Sequence, residues 1–206
     1  MSSPADRRRR QTVERIAEEA LALVAEGGLD ALTMSALAKR VDYTAPALYR
    51  YFPSKGALIA ELNRIVLEGH RARLHARWES VTDPVERLRI NADELVAHAT
   101  ESPAAFGLVA LTLADPRRLV ADDLPVHVPE LMQLVGDVAG CLTEAQAAGQ
   151  LSEGPPDERA LRWLFGLVGT LQLGKLAWFD ARLAPARVTP ALADDLLAAW
   201  SPGVRT

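Results

Sequence analysis

The part of the chain that most constrains its fold is residues 32–58, with the sequence LTMSALAKRVDYTAPALYRYFPSKGAL. Apolar residues fall at helical spacing in two short runs, and a tight turn at Asp42 and Tyr43 separates the runs. Aromatic, hydroxyl and basic side chains cluster on the second run and just beyond it. This layout is typical of a helix-turn-helix, which places its second helix in the major groove of DNA.

The composition favours helices over strands. Apolar residues make up 49% of the 206 residues and charged residues 24%, as in soluble globular proteins. Aromatic residues are only 5%, whereas strands draw on aromatic and β-branched side chains. The length allows one or two domains with a sizeable core. Because no alternating strand pattern and no internal repeat is found, we predict an all-α fold.

Helical patterns continue along the chain between breaks that contain proline or glycine. The first helix is expected from about Arg7 to Glu26, ended by the glycine pair that follows. Thr33, Thr44 and Ser54 are predicted to cap the next three helices. The later helices are predicted over about residues 84–102, 103–114, 129–148, 157–179 and 190–200, with an irregular loop at 115–128. This gives about nine helices in two domains, a three-helix head over residues 1–53 and a larger helical body over residues 54–206.

Charge is distributed unevenly along the chain. The net charge is −4, but residues 1–56 hold nine Lys/Arg and seven Asp/Glu, or +2, leaving 14 of 23 basic and 20 of 27 acidic residues, or −6, in the rest. A basic end on an acidic body suits local contact with nucleic acid. The lone Cys141 excludes an internal disulfide and is interpreted as a small buried residue, which fits a cytoplasmic protein. No signal-peptide pattern is found, and the longest apolar stretch, Trp163 to Phe179, is interrupted by Gln172 and Lys175, which indicates a buried helix.

Many residues of the head stand at fixed spacings. In residues 32–58 they are Leu32, Thr33, Leu37, Ala38, Val41, Thr44, Leu48, Tyr49, Tyr51, Phe52, Ser54, Lys55 and Leu58. The preceding helix adds Ile16, Ala17, Ala20, Leu21 and Gly28. With this pattern the head, over about the first 60 residues, resembles the TetR family of transcriptional regulators. The resemblance implies a homodimeric DNA-binding regulator, a repressor by family default with activation left open, whose body binds a small effector.

The candidate DNA-binding residues have physical roles that stand beside the resemblance. Hydroxyl groups can donate to phosphates, and small side chains at the start of the third helix allow a close approach to the groove. A lysine at a helix N-terminus gains nothing from the helix dipole, which indicates an external anion at Lys55. The hydroxyl and small residues are Thr33, Thr44, Tyr49 and Tyr51, and Ala45, Pro46 and Ala47.

By the resemblance, Tyr49, Tyr51 and Lys55 correspond to phosphate-contacting positions. Base-facing positions of the family correspond to Ser35, Ala45, Pro46, Ala47 and Arg50. Arg50 is the one long donor among these, so we expect it to contact guanine or phosphate, the alternative being an exposed, solvated arginine.

Three positions depart from the family pattern. Asp42 replaces a glycine, Tyr43 an aliphatic residue and Gly56 an acidic one. Aspartate tolerates a left-handed backbone, so the turn is expected to survive, while the operator sequence stays open. Ahead of the first helix, Arg7–Arg10 has two interpretations, an arm that reaches phosphates or a minor groove, and a solvated charge run.

The body carries candidates for a dimer interface and an effector site. The helix predicted over 157–179 is apolar nearly all round, which indicates burial against its own body and against a second chain. The resemblance assigns the homodimer interface to this helix and to 190–200. Sparse polar groups among apolar walls are the effector candidates, although each can equally be a satisfied core residue. They are His98, Phe106, Thr112, Met132, Trp163 and Gln172. This mainly apolar set predicts a largely apolar effector.

Two other classes of protein are alternatives to a DNA-binding regulator. An enzyme finds little support, because neighbouring acidic residues do not share a helical face and no nucleophile elbow, phosphate loop or zinc motif occurs. His70 and His75 are five residues apart, which does not suit two metal ligands on one helical turn. We therefore expect no catalytic residues, no metal and no cofactor. An interaction protein with this fold that does not bind DNA is disfavoured by the presence of Tyr49, Tyr51 and Lys55.

Overall fold

The computed structural model describes residues 3–114 and 128–203, which contain nine α-helices and no strand. The predicted all-α class is thus confirmed. Residues 115–127, where an irregular loop was predicted, lie outside the described residues. The helices are α1 Pro4–Ala31, α2 Met34–Arg40, α3 Ala45–Tyr49, α4 Lys55–Trp78, α5 Pro84–Glu101, α6 Pro103–Ala114, α7 Val128–Ala147, α8 Pro156–Gln172 and α9 Pro185–Ala199.

Side-chain hydroxyl groups cap the N-termini of α2, α3 and α4. The oxygens of Thr33, Thr44 and Ser54 accept hydrogen bonds of 3.1, 3.3 and 3.0 Å from the backbone three residues on, which confirms these predicted caps. A further cap was not predicted: Ser3 and Asp6 form a reciprocal capping box at the start of α1. Because of this box, α1 begins before Arg7 and the arginine run lies inside the helix.

Two residues with positive φ shape the head. Gly28 has a φ of 73° and interrupts α1, as predicted, although one more helical turn follows to Ala31. Asp42 has a φ of 57° in the turn after α2, so the expected left-handed aspartate is present. The next amide, that of Tyr43, donates to the carbonyl of Ala38 at 2.9 Å and closes the turn.

The chain forms two packed units, each with its own interior. The N-terminal unit is drawn from Met1–Val66 and Ser102–Val128, and the C-terminal unit from Leu67–Glu101 and Pro129–Thr206. In the N-terminal unit, α1 packs against α2 and α6. Its core is built from fully buried apolar side chains, among them Ile16, Leu32, Leu37, Leu48, Leu58, Leu62 and Leu108.

In the C-terminal unit, α5 and α8 both pack against α9 and against each other. The helix predicted over 157–179 is wrong in its last part, because α8 ends at Gln172 and a 3-10 helix, Leu173–Trp178, follows. Gly174 lies in this segment, where a Cβ would stand 3.2 Å from Cγ of Pro185, so the backbone closely approaches the start of α9. Pro185 takes the first position of α9, so this helix begins before the predicted residue 190.

Candidate functional site

The candidate DNA interface lies along α2, α3 and the start of α4. These elements bury Leu37, Leu48 and Phe52 in the core and leave polar and small side chains outside. Seven of the ten predicted contact residues are exposed, and Ala45, Ala47 and Tyr51 are half-buried. The exposed ones are Thr33, Ser35, Thr44, Pro46, Arg50 and Lys55, and Tyr49 is exposed to 48%.

The threonine hydroxyls at this interface serve as helix caps. Thr33 accepts from the amide of Ala36, and Thr44 accepts from the amide of Ala47. A hydroxyl that accepts in this way still has its own proton to donate. Each threonine can therefore hold its helix and donate to a phosphate at the same time.

Lys55 has a partner inside the unit. Its Nζ donates to the carbonyl oxygen of Leu29 at 3.3 Å, which ties the start of α4 to the end of α1. This partner was not predicted from the sequence, where the position of Lys55 indicated an external anion. Since an ammonium carries three donors, the bond to Leu29 fixes the side chain and leaves donors for a phosphate.

Four side chains stack into a ladder beside α3. The rings of Tyr43 and Tyr51 are nearly parallel, with an interplanar angle of 4° and centroids 6.2 Å apart. The guanidinium carbon of Arg9 lies 6.0 Å from the centroid of Tyr51, and that of Arg15 lies 5.7 Å from the centroid of Tyr43. Cation–π attraction thus joins α1 to residues on either side of α3. Sequence reasoning missed this ladder, because nothing local links positions 9, 15, 43 and 51.

Arg40 fastens α2 to α1. Its guanidinium lies 2.7 Å from the carboxylate of Glu26 and 2.6 Å from that of Glu19. The hydrogen bonds to Glu26 and then Glu19 raise the pKa of Arg40 and so favour its charged form. The pairs help to set the angle of α2.

The effector candidate His98, which is half-buried, pairs with the buried His70. Nδ1 of His98 on α5 lies 3.1 Å from Nδ1 of His70 on α4, and the rings stack with centroids 5.1 Å apart. Burial, followed by the proximity of His98 and Arg73, lowers the pKa of His70 to about 4. Burial likewise lowers the pKa of His98. Both rings are therefore neutral near pH 7.

Further polar side chains of α5 are buried in the C-terminal unit. Trp163 is fully buried, and its indole Nε1 donates to Oδ1 of Asn91 at 2.8 Å. Glu94 is also buried, and its carboxylate lies 2.7 Å from Arg73 and 3.1 Å from Arg77. The nitrogens Nδ2 of Asn91 and Nε2 of His70 are buried and have no hydrogen-bond partner within the described residues. We call His70, Asn91, Glu94, His98 and Trp163 the polar seam.

The other effector candidates are dispersed. Phe106 is half-buried on α6 of the N-terminal unit, and the side chain of Thr112 lies outside the described residues. Met132 is exposed to 51%, and Gln172 is exposed at the end of α8. Only His98 and Trp163 lie together in the seam, so the complete set stays a prediction. Asn91 was missed, although its place between Leu88 and Leu95 on an apolar helical face was a usable signal.

No group of three metal-binding side chains occurs within the described ranges. Among the same residues, no helix combines the length and hydropathy needed to cross a membrane.

Burial raises the pKa of Cys141 to about 11 and keeps it a thiol.

The head matches a known family. Residues 16–62 match the model for bacterial regulatory proteins of the tetR family. Over 199 residues the chain is 30% identical to the HTH-type transcriptional repressor KstR of Mycolicibacterium smegmatis, an alignment that covers 93% of this chain and 87% of the relative.

Solved structures show the same fold. The Bacillus subtilis transcriptional regulator FadR, crystallised with stearoyl-CoA, has a TM-score of 0.72 at 18% identity, covering 93% of this chain and 99% of that one. AibR, crystallised with isovaleryl coenzyme A and operator DNA, has a TM-score of 0.68 at 19% identity, covering 90% and 97%. Together with the helix-turn-helix and the near full-length similarity to KstR, these findings place the chain in the TetR family of bacterial transcriptional regulators.

Proposed function

We propose that the protein is a transcriptional repressor that binds a partly palindromic operator as a homodimer and releases it when a small, largely apolar effector binds. The observation that carries this proposal is the arrangement at α3. Leu48 and Phe52 hold the helix on the core, while Tyr49, Arg50 and Lys55 remain exposed beside its end. This is the placement needed to contact a phosphate backbone and insert a short helix into a groove.

In this proposal, few side chains determine which DNA sequence the protein binds. Ser35, Ala45, Pro46 and Ala47 are small, so they permit close approach but offer few donors. Arg50 is the long donor, suited to the O6 and N7 acceptors of guanine. Groove shape supplies the remaining discrimination.

A homodimer is supported by the surface of α8 and of the segment that follows. Leu161 and Phe165 are one helical turn apart and are exposed to 40% and 46%. Beyond them, Trp178 and Phe179 are exposed to 92% and 89%. Large apolar side chains grouped in this way mark protein–protein contacts. A second copy covering this face would give the assembly two helix-turn-helix heads, one for each half of a partly palindromic operator.

The effector proposal centres on the polar seam. Two buried nitrogens, Nδ2 of Asn91 and Nε2 of His70, have no partner in the described part of the chain and are donors or acceptors that a ligand can satisfy. Two proteins of the same fold were crystallised with acyl-coenzyme A thioesters. We therefore propose an acyl thioester or a comparable apolar carbonyl compound. Its binding shifts the equilibrium towards a head spacing that no longer fits the operator.

Selection from random DNA tests the proposal. The full-length protein is incubated with a random duplex library over several rounds, and the recovered sequences are compared. We expect enrichment of two inverted half-sites. Recovery no different from the input library would reject DNA recognition and favour an interaction protein with this fold. Enrichment of single half-sites would reject the symmetric dimer and leave DNA recognition by the protein intact.

A thermal-shift panel of acyl-coenzyme A thioesters with chains of two to 20 carbons tests the effector class, since a ligand selective for the folded state raises its stability. A thioester that stabilises the protein is then added to the DNA complex, where release is expected. Turnover of such a thioester by the purified protein would instead favour the enzyme alternative.

A further inference from the structure

The arginine run at the start of α1 is held in a fixed position. The Ser3–Asp6 capping box closes the first turn, so Arg7–Arg10 follow regular helical phase. Arg9 stands four residues before Val13 and seven before the buried Ile16, so it continues the inward-facing side of α1. Its guanidinium ends over the ring of Tyr51. The run is therefore a docked helical extension, which separates it from a free arm.

The stacked ladder attaches this extension to the recognition helix. Tyr43 comes just before Thr44, the cap of α3, and Tyr51 comes two residues after the last residue of α3. Arg9 and Arg15 contact these two rings from α1. The guanidinium group of Arg9 is thus placed beside Tyr51, which the family resemblance assigns to phosphate. A phosphate bound there lies next to further positive charge.

The two flanks of the extension differ in charge. Successive helical residues are about 100° apart, so Arg8 and Arg15 lie on one side of Arg9 while Asp6, Arg10 and Glu14 lie on the other. Further along the first flank the carboxylate of Glu19 is already paired with Arg40. Within the described residues, neither Arg8 nor Arg15 forms an ion pair. Among the residues that the structure describes, the Arg8 flank thus carries positive charge that no ion pair offsets.

We infer that Arg8, Arg9 and Arg15 form a second phosphate-binding surface, which contacts the DNA backbone flanking the segment contacted by α3. This inference rests on the proposed function. The surface extends the length of DNA contacted at each half-site. It raises the affinity for DNA of any sequence, because guanidinium groups bind phosphate whatever the neighbouring bases are. Arg8 is its most informative member, since it lies outside the ladder and is exposed.

The test compares Arg8→Ala with Arg10→Ala, a matched control that removes the same charge from the same helical turn on the acidic flank. Affinity for a duplex recovered by the selection, and for a shuffled duplex of equal length, is measured from 50 to 300 mM KCl. For Arg8→Ala we expect binding to both duplexes to weaken about three- to tenfold, and the slope of log affinity against log salt to flatten by about 0.9, the value for one lost phosphate contact. Arg10→Ala should keep the parental slope.

The outcomes separate this inference from the proposed function. Parental slopes for both variants would overturn the second surface and leave operator binding intact. Equal flattening in both variants would also overturn it, since only the total charge would then matter. Absence of DNA binding by the unaltered protein would reject the proposed function itself. Circular dichroism of both variants shows whether α1 remains folded, and a charge-retaining Arg8→Lys variant should recover most of the slope even where Arg8→Ala frays the first turn.

Discussion

Trp163 donates a hydrogen bond of 2.8 Å from Nε1 to Oδ1 of Asn91, and neither residue is exposed to solvent. The bond joins α8 to α5 inside the C-terminal unit. We predict that Trp163→Phe lowers the free energy of unfolding by about 3 kcal/mol, because it orphans a buried carbonyl oxygen and leaves a small cavity. Urea unfolding measures this change. In an Asn91→Leu background the same substitution should cost distinctly less, and an equal cost in both backgrounds would show that the bond contributes nothing.

A second prediction rests on the left-handed backbone conformation of Asp42. Its φ of 57° is strained for a residue with a Cβ and free of strain for glycine. Because Asp42 is exposed, packing changes little on substitution. Asp42→Gly should stabilise the protein by about 0.5 kcal/mol, and Asp42→Val should destabilise it by about 1 kcal/mol or more. Thermal unfolding of the three proteins gives the order, and a valine variant as stable as the glycine variant would contradict it.

Stability should depend on pH through His70. Its pKa is lowered to about 4 in the folded state from an ordinary value of 6.5, so the unfolded chain binds more protons between these values. The stabilisation is therefore complete above pH 6.5 and is lost as the pH falls towards 4. Between pH 7.5 and 5.5 we expect the free energy of unfolding to drop by about 1 kcal/mol. His70→Gln should reduce this dependence, and an unchanged dependence would assign it to other groups.

The head was predictable from the sequence because its determinants are local. Thr33, Thr44 and Ser54 each accept a hydrogen bond from an amide three residues further along the chain. Asp42 is one of the residue types that tolerate the left-handed backbone conformation found at its position. The polar seam and the stacked ladder were not predictable, because each joins residues on separate helices. The pair His70 and His98, for example, is 28 residues apart in sequence. Periodicity shows which side of a helix is buried and leaves open which polar groups meet there.

The end of α8 shows a different limit. Residues 157–179 carry apolar side chains at positions nearly all round a helix, and this pattern alone supports one long helix. The backbone instead tightens into a 3-10 helix at Leu173, where Gly174 closely approaches Pro185. A contact with a later helix thus decides where α8 ends, and hydrophobic periodicity carries no signal for it.

DNA binding should depend on Tyr49 and Lys55 in a way that ignores sequence. Both side chains are exposed at the candidate interface and are proposed to contact phosphates. Tyr49→Ala and Lys55→Ala should therefore weaken binding to cognate and shuffled duplexes to a similar degree. Lys55→Ala should also flatten the salt dependence, because it removes one released counterion. Fluorescence anisotropy across KCl concentrations measures both effects, and parental affinity with an unchanged salt slope in both variants would show that the interface is misassigned.

A charge on the exposed face of α8 should break the proposed homodimer. Phe165 is 46% exposed in the single chain, so Phe165→Glu leaves the protomer folded but places an unpaired charge in the interface. We expect the dimer to dissociate at least about 100-fold more readily in analytical ultracentrifugation. Met132→Glu is the control, since Met132 is 51% exposed on another helix. Equal dissociation in both variants, or in neither, would place the interface elsewhere.

The exposure of Trp178 gives the protein an optical signal of its own state. The other three tryptophans, Trp78, Trp163 and Trp200, are buried within the chain, whereas Trp178 is exposed to 92%. An indole in water emits at longer wavelength than an indole in an apolar environment. A shift of emission towards the blue with rising protein concentration, removed by Trp178→Phe, would report association at this face with no label attached. The same emission would reveal any effector that loosens the assembly.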